Sequence, residues 1–248
     1  MNLMLNARTL VGVAVLAVLA TQVKAVEVAL VPFSSATSDQ APAPWRIAGV
    51  PGGKIPLTNF SMMAMEGRKV LRVATAKSYG NLVHDLPPGA TSAGMRLNWG
   101  WRLDEALQGA DLHTRQGDDS PLKVCVLFDM PLEKLGLIER NLFRMARAAS
   151  TEKLPSATLC YVWDDKLSPE TMLSNAYTSR VRLIVTTSGA QQLGQWVKQS
   201  RDIAADFRRA FAAESDTLPP MMAILVGGDA DNTGGHSLGY VDDIRLEP

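Results

Sequence analysis

Most of the usual marks of catalysis are missing from this sequence of 248 residues. The Gly-x-Ser-x-Gly spacing occurs once, as Gly235-His236-Ser237-Leu238-Gly239, but an expected strand, Tyr240–Leu246, follows it where an elbow needs a helix, so the strand-turn-helix presentation of a serine nucleophile is excluded. Its histidines, His84, His113 and His236, lack the His-x-x-x-His or cysteine spacing that holds zinc. No Glu-x-Asp-x-x-Glu run supplies paired acids for glycoside hydrolysis. Charge of either sign is not in excess, with 25 basic against 25 acidic residues, and nothing here attracts nucleic acid. Arg, Lys or Asp interrupts every later apolar run before it reaches the roughly 20 residues that span a bilayer. Cysteine is scarce, with only Cys125 and Cys160.

What is present begins with a leader. Arg8, the apolar run Leu10 to Ala20 and the small-residue end Val23-Lys24-Ala25 read as a secretory signal over residues 1–25. The run is about 11 residues long, too short for an anchor. Its removal starts the chain at Val26 with a net charge of about −2, and the expected location is periplasmic or secreted. Export permits a disulfide between Cys125 and Cys160 if their apolar runs are neighbouring strands; buried thiols packed as small hydrophobes are the alternative. Residues 26–44, with Ser34-Ser35-Ala36-Thr37-Ser38 and spaced prolines, read as an irregular tether or first pass over the surface. Residues 45–248 lack an internal linker and are expected to form a single domain.

Most segments repeat with period 2. The strands expected are Val70–Thr75, Tyr79–Leu86 (stopped by Pro87-Pro88-Gly89), Met95–Leu103, Leu122–Asp129, Ala157–Trp163, Arg180–Thr187, Met221–Val226 and a closing strand, Tyr240–Leu246. Helical spacing appears from Pro131 to Met145 and within Gln195–Ala213, whose start could be strand. The fold class expected is mainly β, an antiparallel β-sandwich with two helical insertions. In Met95–Leu103, Trp99 and Trp101 alternate with Met and Leu, which favours core over a sugar-stacking platform. Arg96, Asn98 and Arg102 fall on the opposite face and are the better ligand-facing candidates, with Asp118 and Asp119 in a nearby loop.

The densest chemistry lies in Gly228-Asp229-Ala230-Asp231-Asn232-Thr233-Gly234-Gly235-His236. Asp229, Asp231, Thr233 and Gly234 follow the opening Asp-x-Asp-x-x-Gly spacing of a calcium loop, but the twelfth position is Tyr240, so the EF-hand reading fails. Strict alternation would send Asp242 to the same face as Ile244 and Leu246, making it a candidate calcium ligand with Asp229, Asp231, Asn232 and Thr233. The simpler account is that Asp229, Asp231 and Asn232 cap their own turn. No cofactor other than a structural calcium ion is suggested.

Leu97-Asn98-Trp99-Gly100-Trp101, Tyr161-Val162-Trp163, Asp229 to Gly234 and Tyr240-Val241-Asp242-Asp243-Ile244, in that order, resemble the bacterial family called domain of unknown function 3047. The resemblance covers about Trp45 to the end and implies an exported β-rich domain with no assigned activity. The closing Tyr-x-Asp-Asp-Ile-x-Leu is also similar to the last strand of jelly-roll carbohydrate-binding modules and galactose-binding-like domains. The expected function is a non-catalytic binding domain for a glycan or another envelope component. A polysaccharide hydrolase or lyase, and a purely structural envelope protein, are the alternatives. The sequence is silent on oligomeric state.

Overall fold

The computed structural model describes residues 28–49, 53–150 and 153–248; the secretory leader read over residues 1–25 lies outside them. Thirteen strands are present among the described residues: β1 Arg46–Ala48, β2 Asn59–Met65, β3 Arg68–Ala76, β4 Tyr79–Ala90, β5 Arg96–Glu105, β6 Lys123–Phe128, β7 Ala157–Asp164, β8 Met172–Ser174, β9 Val181–Ser188, β10 Val197–Asp202, β11 Met221–Asp229, β12 His236–Val241 and β13 Arg245–Glu247. Helix α1 covers Leu137–Ala149 and α2 covers Ile203–Phe211. The strands form two layers. One sheet has the order β1-β4-β11-β6-β7-β9-β8, and the other β10-β5-β12-β3-β2 with β13 also on β5. The chain changes layer on entering β2, β4, β5 and β6, and again on entering β10, β11 and β12, which is the jelly-roll habit of wrapping a core between alternating strands.

Among the described strands all pairings are antiparallel except β7 with β9. Residues between them include β8, which folds back on the far edge of β9. That excursion gives the connection the length a parallel pair requires.

Alternation builds the core as β5 predicts: Leu97, Trp99, Trp101 and Leu103 are buried while Arg96, Asn98, Arg102 and Asp104 turn outward. Trp99 meets Trp101 at 5.4 Å and Tyr161 at 5.3 Å, and Trp101 meets Trp163 at 5.9 Å, so the rings join the two sheets. Both tryptophans are core residues. At one end of the sandwich α2 inserts Phe207 and Phe211, with Phe207 at 4.7 Å from Phe128. Asp202 caps that helix by accepting from the Ala205 N–H at 2.9 Å, so the switch from strand to helix has a local cause.

Three local expectations change. Strand β4 continues through Pro87-Pro88-Gly89 to Ala90, because β1 covers only Asn81 to Val83 of its outer edge and the prolines break no ladder there. Residues 28–44 are irregular in backbone but do not merely pass over the surface: Val28, Phe33 and Ala36 are buried, and Phe33 stacks on Trp45 at 4.8 Å. The final strand is broken. β12 ends at Val241 and β13 starts at Arg245, both paired to β5, and the three residues between them reset the alternation.

That reset corrects Asp242. Val241 faces the core, Asp242 is half-buried on the other side of the sheet where it pairs with Arg68, and Ile244 then returns to the core. Asp242 therefore does not share the face of Ile244 and Leu246.

Cys125 and Cys160 stand directly opposite each other on β6 and β7 and are joined as a disulfide on the outer face of the first sheet.

Candidate functional site

The loop from Ala230 to Gly235 carries the chain from β11 in one sheet to β12 in the other, and a second loop, Asp118 to Pro121, enters β6 beside it. Each needs its backbone donors satisfied, and they exchange caps. Asp119 accepts from the N–H groups of Asn232 at 3.3 Å and Thr233 at 2.7 Å. Asp229 accepts from the Ser120 N–H at 2.7 Å with one oxygen and from Lys123 Nζ at 2.6 Å with the other. The turn is thus closed by an aspartate more than a hundred residues earlier in the chain, and not by Asp229, Asp231 and Asn232 alone.

Asp119, Asp229 and Asp231 bring carboxylate oxygens within 4.8 Å of one another, a spacing that a hard cation could bridge. Donors of the chain itself already fill Asp119 and Asp229, while one oxygen of Asp231 has no hydrogen-bond partner. Burial raises the pKa of Asp231, and the charges of Asp119 and Asp229 raise it further. Burial likewise raises Asp118, against a hydrogen bond from Asn175. For Lys123, burial alone would lower the pKa; the Asp229 carboxylate outweighs it and holds the ammonium protonated. Of the residues read as one calcium set, Asn232 and Thr233 contribute backbone donors to Asp119, and Asp242 belongs elsewhere.

Asp242 lies on the open face of the second sheet, above Gly100 of β5. A Cβ at position 100 would lie in ordinary contact with the Asp242 Cβ at 3.4 Å and the Trp196 ring at 3.7 Å, which places both side chains over this point of the strand. The Arg68 guanidinium stacks on Trp196 at 4.5 Å and pairs with Asp242 at 2.5 Å. Asp243 accepts from the N–H and hydroxyl of Ser34 at 2.8 and 2.6 Å. Between these groups and β10 runs a groove of about 520 Å³, floored by Asn98, Trp99 and Gly100 and edged by Lys198, Ser200 and Arg245.

The structure distributes the sequence-derived candidates over separate places. Asn98 floors the groove and donates to Glu247 at 3.1 Å. Arg96, on the same face, donates to Ser200. Arg102 binds Asp104 and Glu66 and does not line the groove. Asp118 and Asp119 belong with the acidic loop. Arg68, Trp196 and Lys198 were not among the candidates, and no sequence signal brings these three residues of separate segments together.

No curated protein matches the sequence. Among solved structures, the K1 cleaved adhesin domain of Lys-gingipain from Porphyromonas gingivalis is similar at a TM-score of 0.38 and 7% identity, over 87% of this chain and 95% of that one. A family 11 carbohydrate-binding module from Clostridium thermocellum, solved with a mixed-linked tetrasaccharide, gives 0.40 and 11%, over 88% and 94%. A cellulase derived from Cel12A of Rhodothermus marinus gives 0.40 and 11%, over 82% and 95%. Residues 43–245 match the family described as protein of unknown function (DUF3047), and the chain belongs to that family.

Proposed function

We propose that the protein is an exported, non-catalytic binding domain that takes a glycan in the groove over Gly100. The observation that carries this reading is the composition of that groove. An amide, a hydroxyl, an ammonium and two guanidinium groups converge from four separate segments on one open sheet face. Such a set suits a polyhydroxylated ligand, whose hydroxyls both donate and accept. Three cations, Arg68, Lys198 and Arg245, face two carboxylates, Asp242 and Asp243, and those carboxylates are already engaged by Arg68, Ser34 and Arg245. The remaining positive charge favours glycans that carry carboxylates or other anionic groups.

A glycan array combined with a reducing-sugar assay on the polymers that bind tests the proposal. Binding without release of reducing ends is expected, with acidic glycans ahead of neutral ones. Lys198→Ala should weaken binding about tenfold, the loss of one charge-assisted hydrogen bond. Release of product would replace the binding domain with a polysaccharide-cleaving enzyme. Silence in both assays would remove glycans altogether.

A further inference from the structure

Helix α1 is seated on the sandwich by its polar side. Arg140 donates to the carbonyls of Leu132 at 3.0 Å, Glu133 at 2.7 Å and Leu135 at 3.0 Å. Arg147 donates to the Leu154 carbonyl at 3.1 Å and to Asp129 at 2.8 Å. Glu139 pairs with Arg180 at 2.7 Å, and Phe143 packs against the core from the same side. The opposite side carries Leu137, Ile138, Leu142 and Met145, which are 74%, 81%, 63% and 69% exposed. At 3.6 residues per turn these four positions fall on one stripe. A surface helix of a globular protein ordinarily turns such a stripe to its own core. Here the stripe faces away.

Charge on the helix narrows what covers the stripe. Of its three arginines, Arg140 and Arg147 are turned to the sandwich and Arg147 is paired with Asp129, which leaves Arg144 as the cation flanking the stripe. Among the described residues neither Arg140 nor Arg144 has a carboxylate partner. A short amphipathic helix whose exposed apolar stripe is flanked by a basic side chain is suited to the headgroup layer of a membrane. Two copies packed antiparallel, stripe to stripe, would set the Arg144 flanks against each other, whereas anionic headgroups complement them.

We propose that α1 docks the protein on an anionic lipid surface, with Leu137, Ile138, Leu142 and Met145 entering the boundary between headgroups and acyl chains and Arg144 at the phosphates. Co-sedimentation of the purified full chain with vesicles of phosphatidylcholine, alone or mixed with phosphatidylglycerol, tests this. The protein should pellet with the mixed vesicles, and less so as salt rises. Leu142→Glu, at an exposed position whose folding circular dichroism verifies, should abolish pelleting. Arg144→Gln should weaken it about fivefold. The proposal is overturned if the parent pellets with neither vesicle. It is also overturned if Leu142→Glu pellets like the parent, which would assign the affinity to another part of the chain such as the apolar run Leu10 to Ala20. A lipid-independent dimer that Leu142→Glu converts to monomer would show instead that a second copy covers the stripe.

Discussion

Asp231 sits where negative charge accumulates: Asp119 and Asp229 are within 4.8 Å, and Lys123 is spent on Asp229. Its carboxyl therefore holds a proton more tightly in the folded chain than in the unfolded one, through burial first and its neighbours second. The sign follows from linkage. Below the ordinary carboxylate range, near pH 4, both states are protonated and Asp231 has no effect. As pH rises through the interval up to its raised folded value, the folded state binds more protons than the unfolded state, and stability falls. The deficit persists at neutral pH. Asp231→Asn is thus expected to match the parent near pH 3 and to exceed it at pH 7, by under about 1 kcal/mol at this partly exposed position. Urea unfolding at the two pH values measures it, and an unchanged difference would show that the proton is not held there.

At the scale of the element, β6 and β7 are pinned across their middle by Cys125–Cys160, residues separated by 35 positions. Closing a loop of that length in the unfolded chain removes about 3–4 kcal/mol of its conformational freedom. The double variant Cys125→Ala, Cys160→Ala should lose an amount of that order in urea unfolding, and thiol labelling of the denatured, unreduced parent should find neither cysteine. The strands with clear alternation or unbroken apolar character, β5, β7 and β9, were legible from residues alone, because one face or both are dry. β12 was not. Ser237 and Gly239 occupy its inward positions, the glycine because a side chain there would strike Leu122, so no apolar rhythm marks the strand. The same limit explains Asp242: periodicity assumes a continuous strand, and nothing in Asp242-Asp243-Ile244 announces that the count restarts. For α1, spacing identified a helix within Pro131–Met145, which the structure places at Leu137–Ala149, but it grouped Phe143 with the apolar residues that face away from the sandwich. Which face met the sandwich depended on carbonyls at Leu132, Leu135 and Leu154 that the arginines satisfy, and those partners are not in the pattern.

Across the whole molecule, the first and last described segments are clasped together. Ser34 donates twice to Asp243, and Phe33 is fully buried beside it in sequence, so the irregular residues 28–44 close the core that the broken strand β12–β13 leaves at its rim. Asp243→Ala removes both hydrogen bonds and the contact to Arg245. It should cost about 1–3 kcal/mol and make residues 28–44 the first point of cleavage in limited proteolysis; an unchanged digestion pattern would place the hold of this segment in its other contacts, Phe33 on Trp45 and the bonds to His84 and Lys69 among them. The groove proposed for a glycan shares that clasp, since Ser34 and Asp243 line it, which ties the shape of the groove to the seating of the N-terminal segment. The disulfide has a topological counterpart on the first sheet. All of α1 lies between Cys125 and Cys160, inside a covalent ring. A peptidase that nicks the helix or either of its connections releases no fragment, and until the bridge is reduced both pieces travel as one mass, with the exposed stripe still attached to the sandwich.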